Sequence, residues 1–406
     1  MAKDKEKKPL RLLVVGSSWP PQTFLGRLMR GLASMGVQVR IAFSKWPDQD
    51  WFLKSGLQTF KTRAWEGPRI GRLLWVAWLS LVALLRSPRA FRKFWRVASR
   101  EKTLGERLRI LNRLLPFAGV SCDVIYFPWN SAAIDFLPLF DLGKPVLVSC
   151  RGSQVNVAPH HPGRGIRAGL PTTFDRASAI HCISSSIQRE ASRFGLDIAK
   201  SCVIRPGVDP EFFSPAPVRH PSTRLRIITV GSLVWVKGVT YGIQAIRRVV
   251  DAGVPVRFTI VGDGPERQRV LYAIDDMGLH DHVRLLGRLA PVAVRDELRQ
   301  SDIFILPSLA EGFCNAAIEA MGCSLPVVMT NCGGALEGVT DGVEGFIVPI
   351  WDPEAMAESI LRLARDPVLR QTMGHAARAR VMRDFNVKRH VHEFADLLEE
   401  LQCGAA

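Results

Sequence analysis

Residues 302–330 read DIFILPSLAEGFCNAAIEAMGCSLPVVMT. Two short apolar runs, 302–307 and 326–330, are closed or opened by proline and enclose a stretch rich in small residues. Continuous apolar runs of this length are strands buried on both faces, and the segment between them is long enough for a crossover helix. The reading is strand, exit loop Ser308 to Glu311, helix over GFCNAAIEAM, strand. With the helix starting just after Gly312, Glu311 lies in the loop at its positive end and Glu319 projects from about its second turn. The amides of Gly312, Phe313, Cys314 and Asn315 then point outward from the sheet edge. An anion there gains about 0.3–1 kcal/mol from the helix dipole, up to ~2 when partly buried.

The same alternation extends in both directions. RLLVVG, VQVRIAF, CDVIYF, PVLVSC, SAIHCIS and SCVIRPG precede it in the first half, and LRIITVG, VRFTIVG, HVRLLG, DIFILP, PVVMT and GFIVP make up the second series. Strands separated by helices predict parallel sheets covered on both faces, and the pattern occurs twice. A proline-rich stretch, 205–224, separates the two series and reads as linker. The expected architecture is α/β with two Rossmann-like doubly wound domains, 1–205 and 223–385, joined by a 206–222 linker and facing across a cleft. Ligands of such sheets sit at the carboxyl ends of the strands.

Length and composition agree. The 406 residues, 47% apolar and 23% charged, exceed one core and suit two domains of roughly 150–200 residues. Eight cysteines without a C-x-x-C pair signal neither a zinc site nor a disulfide framework. The charged start MAKDKEKKPL leads into a short apolar run unlike a secretory signal, so a cytoplasmic location is expected. The longest apolar run, LLWVAWLSLVALL at 73–85, would reach about 20 Å as a helix against a hydrocarbon core of about 30 Å, too short to span it.

Two further strand-end glycine turns stand in the second series. In VGSLVWVKGVTYGIQAI, Lys237 precedes a helix start, where a point charge beside unpaired amides suits a diphosphate. VGDGPE at 261–266 is a similar turn. Carboxylates beside such a site repel phosphate, so Glu311 and Glu319 are positioned to accept hydrogen bonds from hydroxyls. A diphosphate flanked by two hydroxyl-bearing groups is a nucleotide sugar.

From Gly231 to Pro349 the chain resembles the donor-binding half of the retaining family-four glycosyltransferases of the GT-B fold, also called glycosyl transferases group 1. GSLVWVKG, VGDGPE, LLGRL and PSLAEGFCNAAIEAMGCSLPVVMTNCGGALEGVTDGVEGFIVP carry the resemblance in family order, and it continues more weakly through the first half. It implies hexosyl transfer from a UDP- or GDP-sugar to a glycan or lipid-linked acceptor in cell-envelope polysaccharide or glycolipid synthesis. Lys237 would contact the diphosphate and Glu319 the ribose. Glu311, with the amides around Phe313 and Cys314, would hold the transferred sugar. Gly231, Ser232, Gly262, Gly312 and Asn315 would complete the donor site, and Gly287 and Arg288 would lie by the base. A helix over 386–406 would cross back to the first domain. The resemblance calls for no metal and no cofactor beyond the co-substrate; the Asp48–Gln49–Asp50 motif, metal-binding in another glycosyltransferase fold, lies far from the donor motifs.

Departures from the family pattern matter as well. Ser232 stands where many members have arginine, YFPW at 126–129 replaces a His-x-His, and Arg151 replaces a histidine. Arg151 follows the strand PVLVSC, so its guanidinium is expected at the carboxyl edge of the sheet, holding an anionic acceptor group or else tied to a carboxylate of its own domain.

Between Lys61 and Arg113, fourteen Lys or Arg stand against three Glu, a surplus of eleven in a net charge of +16. On a helix, PRAFRKFWRVASR turns Arg89, Arg92, Lys93, Arg96 and Arg100 to one side, with Phe91, Phe94, Trp95 and Ala98 on the other. Beside the apolar run, this segment, with Trp95 counted among its membrane-facing residues, is expected to lie in an anionic inner-membrane surface. A buried helix with a solvated basic face is the alternative. Nucleic acid is not an expected partner, because no binding module accompanies the charge. Three other classes stand against glycosyl transfer. A glycoside phosphorylase would add a phosphate site, a basic nucleic-acid-binding protein would show a steep salt dependence, and a dehydrogenase would need a G-x-G-x-x-G turn that the chain lacks.

Overall fold

The computed structural model describes residues 8–17, 23–43, 57–62, 69–161, 163, 165–218 and 222–404; the Asp48–Asp50 motif lies outside them. Every run of the two alternating series named above becomes a strand, while the longest apolar run, 73–85, lies in the helix Arg69–Arg86. β1 (Arg11–Val14), β2 (Gln38–Phe43), β3 (Gln58–Lys61), β4 (Val124–Phe127), β5 (Val146–Cys150), β6 (Ala179–Cys182) and β7 (Ser201–Val203) form one sheet in the order β3-β2-β1-β4-β5-β6-β7. β8 (Leu225–Val230), β9 (Val256–Val261), β10 (Val283–Gly287), β11 (Ile303–Leu306), β12 (Val327–Thr330) and β13 (Gly345–Val348) form the other, β10-β9-β8-β11-β12-β13. All pairings between these strands are parallel. The short strand β3 carries QTFK, with a single large apolar residue, which explains why composition alone does not reveal it.

The chain divides into two compact units. The first comprises residues 1–183, 188–204 and 391–406, and the second comprises residues 184–187 and 205–390. Each sheet reverses its strand order beside its first strand, between β1 and β4 and between β8 and β11. Each reversal has its own fastening of the same kind at the amino edge of its sheet. Arg11 binds Asp123 through Nε (3.0 Å) and Nη2 (2.6 Å), and its backbone N–H donates to the same carboxylate at 2.9 Å. Arg226 repeats this with Asp302 at 3.1, 3.0 and 2.9 Å. The guanidinium of Arg11 holds the carboxyl of Asp123 below its ordinary range. In both sheets, the first strand and the strand beyond the reversal are therefore pinned in register by a bidentate charge-assisted pair.

Helix starts follow local chemistry. Thr103 and Glu106 form a reciprocal capping box for the helix Leu104–Leu114, and Asp352 and Asp366 cap helices that begin with Pro353 and Pro367. The core of the second unit packs Ile227, Phe258, Ile260, Ile303 and Ile305 of the sheet against Ile243, Ile246 and Val249 of the helix Val239–Asp251.

Two expectations need correction. The helix after β11 spans Asn315–Gly322, so Gly312, Phe313 and Cys314 approach it as irregular backbone, with Cys314 as cap at φ −89°, ψ 64°. In the basic helix Pro88–Ala98, the buried stripe is Ala90, Phe94 and Ala98, while Trp95 is 52% exposed on the side of the arginines. Phe94 and Ala98, four residues apart, define the inward line, and Trp95 lies one position, about 100°, around the helix from it. Among the described residues, no helix is long and apolar enough to cross a membrane.

Candidate active site

At the carboxyl edge of the second sheet, the ends of β8, β9 and β10 are tied by their glycines. Gly231 N–H donates to Val261 C=O at 2.9 Å, and Gly262 N–H donates to Gly287 C=O at 2.8 Å. Gly262 adopts φ +149°, and a Cβ there would overlap the Gly231 carbonyl, so only glycine lets these turns touch. Ser232 and Arg288 follow these turns and are exposed. Beyond Gly231, the chain makes a 3-10 turn over Trp235–Lys237, and Gly238 (φ +56°) opens the helix Val239–Asp251. A side chain at Gly238 would overlap the carbonyl of Pro307 at the end of β11.

That close approach brings Lys237 to Glu311. Lys237 Nζ donates to Glu311 Oε1 at 2.6 Å, and Ser308 Oγ donates to the same oxygen at 2.7 Å. Glu311 is 7% exposed, and the Lys237 side chain retains 27% exposure. The aliphatic stem of Lys237 lies against Gly231. Thr330 at the end of β12 supports the loop by donating to the Ser308 and Leu306 carbonyls. The sheet reversal between β8 and β11 thus carries a lysine–carboxylate–serine cluster. Ser308 and Thr330 are the members that sequence reasoning missed; a serine three residues before the loop glutamate was the available signal.

Next to the cluster, the N–H groups of Gly312, Phe313 and Cys314 donate to no backbone acceptor among the described residues. Phe313 and Cys314 are buried, so these are donors in a low-dielectric setting, suited to an anion or a polarised oxygen. Asn315 N–H folds back onto Phe313 C=O at 3.1 Å and is occupied. Glu319 is half-buried in the helix that follows. Burial pushes the Cys332 thiol up to about 12 and raises Cys314 further, so neither supplies a thiolate at neutral pH.

Arg151 belongs to the first unit and is 6% exposed just past β5. Its Nε donates to Pro128 C=O at 3.1 Å and its Nη2 to Tyr126 OH at 3.4 Å. Its Cζ lies 4.5 Å from the Phe24 ring and 5.7 Å from that of Trp129. Among the described residues, no carboxylate pairs with it, so the expected alternative of a tie to its own domain's acid is not what holds it.

Two families match the chain in succession, one described as Glycosyltransferase Family 4 over residues 22–212 and the other as Glycosyl transferases group 1 over residues 211–380. The chain belongs to the family-four glycosyltransferases. It is 33% identical over 240 residues to WcaL of Escherichia coli strain K12, named for colanic acid biosynthesis; the match covers 56% of this chain and 58% of that one. The amylovoran biosynthesis glycosyltransferase AmsK of Erwinia amylovora is 32% identical over 57% of this chain and 58% of its own. The matched region thus spans somewhat over half the length of these curated relatives. Among solved structures, Anabaena HepE in complex with UDP and glucose superposes with a TM-score of 0.71 at 19% identity, covering 96% of this chain and 99% of that one. The fold of this family-four chain is GT-B.

Proposed function

We propose that this protein is a retaining glycosyltransferase that moves a hexose from a UDP- or GDP-sugar to a glycan or lipid-linked acceptor in cell-envelope polysaccharide or glycolipid synthesis. The observation that carries the reading is the Lys237–Glu311–Ser308 cluster beside the unpaired amides of Gly312 to Cys314 at the sheet reversal. Lys237 turns from Glu311 to the donor diphosphate, and the freed carboxylate, held by Ser308, accepts hydrogen bonds from the hexose. Glu319 takes the ribose, and Gly287 and Arg288 flank the base. Transfer proceeds on the front face, where the leaving phosphate takes the acceptor proton and Lys237 and the amides hold the developing charge. This scheme uses no metal. A panel of UDP-, GDP- and ADP-sugars in a thermal-shift assay tests the donor class: a ligand at 100 times its Kd adds about 2.7 kcal/mol of stability. Absence of a shift with every nucleotide sugar would sink the reading.

Arg151 serves the acceptor. A buried guanidinium without a carboxylate partner is costly until an anion reaches it, and a lipid-linked phosphate or a uronate supplies one. Arg151→Ala is expected to lower kcat/KM for the acceptor tenfold or more, at about 1.5–3 kcal/mol per charged hydrogen bond. Donor affinity and thermal stability should stay near wild type. Lost stability with unchanged acceptor kinetics would make Arg151 a structural residue.

The protein works at the cytoplasmic face of the membrane. Ile70, Leu74, Trp78, Leu81 and Leu85 line an exposed apolar side of the helix Arg69–Arg86, while Val76, Leu79 and Ala83 face inward. The adjoining helix exposes Arg89, Arg92, Lys93, Trp95 and Arg96. An apolar stripe beside a cationic one fits the interface of an anionic leaflet.

A further inference from the structure

Three buried polar side chains in the first unit stand in line behind Arg151. Tyr126 of β4, Ser149 of β5 and His181 of β6 are each fully buried on adjacent strands. Tyr126 OH lies 2.9 Å from Ser149 Oγ, and Ser149 Oγ lies 2.7 Å from His181 Nδ1. His181 Nε2 is 2.9 Å from the carbonyl oxygen of Ile204.

The two ends fix the direction of every bond between them. A carbonyl only accepts, so Nε2 carries the proton and, in neutral imidazole, Nδ1 accepts from Ser149. Ser149 Oγ is then open to the Tyr126 proton. At the other end, a guanidinium only donates, so Tyr126 OH accepts from Arg151 Nη2 while giving its own proton onward. No group in the series is left without a partner, and reversing any one bond would bury an orphaned hydroxyl proton. Phe394 packs edge-on against both Tyr126 and His181, with ring centres 5.2 Å away in each case, closing the chain from water.

We infer that Tyr126, Ser149 and His181 are positioning residues, a one-way hydrogen-bond chain across three strands that sets the Arg151 guanidinium for an anionic group of the acceptor. The inference rests on the proposed role of Arg151. Two of the five guanidinium donors are spent on Pro128 and Tyr126, so its orientation is fixed by the sheet and its remaining N–H groups are directed by default. A polar chain of this kind beneath a buried cation specifies geometry, because each member can be satisfied in only one arrangement.

The test uses the full-length chain with isotope-labelled arginine and histidine side chains. The Arg151 guanidinium signal, assigned by its loss in Arg151→Ala, is followed while inorganic phosphate or D-glucuronate is added. Tyr126→Phe and Ser149→Ala should each weaken the Arg151-dependent response about three- to tenfold, with UDP binding close to wild type and Tm lowered by no more than about ten degrees, most in Ser149→Ala, which leaves the Tyr126 proton without an acceptor. Wild-type affinity in both variants would overturn the chain and leave the acceptor role of Arg151 standing. A silent Arg151 signal in the wild-type protein with both anions would overturn that role, and the chain with it. The wild-type protein supplies a measurement independent of variant folding: the histidine nitrogen spectrum should show His181 protonated at Nε2 and bare at Nδ1, and a proton found on Nδ1 would refute the stated direction.

Discussion

Lys237→Ala is expected to lower kcat/KM for sugar transfer by about 10²–10³-fold, the usual loss when one preorganised donor to developing charge is removed. It should weaken nucleotide-sugar binding as well, since the ammonium faces a diphosphate before and after reaction. A second consequence follows from the pair it forms. Removing the lysine leaves Glu311, 7% exposed, with Ser308 as the remaining side-chain donor to its shared oxygen. Because Lys237 is itself 27% exposed, the stability lost should stay below the about 3–5 kcal/mol that follows the breaking of a fully buried pair. Glu311→Gln should mainly slow transfer, and Glu319→Gln should mainly weaken donor binding. The double variant Lys237→Ala/Glu311→Gln separates stability from chemistry: it should regain much of the lost Tm and none of the activity. Titration calorimetry with the best nucleotide sugar, together with steady-state kinetics, gives both readouts. Wild-type turnover in Lys237→Ala would remove the proposed mechanism.

Replacing Arg89, Arg92, Lys93 and Arg96 together by Gln is expected to release the protein from anionic vesicles, with affinity falling several hundredfold at about 1 kcal/mol per basic residue near the surface. All four are exposed on one short helix; Arg92 Nε donates to the Pro88 carbonyl at 3.4 Å within that helix, and Lys93 donates to the Asp141 carbonyl. Trp95, also outward, should still insert, so binding at low salt should be reduced rather than abolished. Co-sedimentation with phosphatidylglycerol vesicles across salt concentrations measures this. Unchanged binding at low salt would assign the charges to solvated structure.

Much of the fold was legible in advance because parallel strands buried on both faces write themselves as unbroken apolar runs; twelve of the thirteen were readable this way. β3 was not, since an edge strand of QTFK needs few apolar residues. In the candidate site, Lys237 and Glu311 were visible as residues on neighbouring turns, yet their pairing was not. It depends on Gly238 passing under Pro307, a contact between segments 69 positions apart. The helix start was misplaced by about one turn because small residues such as Gly312 and Cys314 permit both helix and irregular backbone, and burial decides between them. Tyr126, Ser149 and His181 left no periodic signal, as each is a single polar residue in an apolar strand whose partners lie on other strands.

The paired fastenings Arg11–Asp123 and Arg226–Asp302 divide labour between the two ends of each sheet. Registration is settled at the amino edge, where the first strand meets the strand beyond the reversal. The opposite edge, carrying the Ser308–Gly312 loop in one unit and the Pro128–Arg151 surroundings in the other, is relieved of that duty. Loops there can change sequence, and with it what they hold, while strand order stays where it is. A scaffold fastened at its far end is free to vary at its working end.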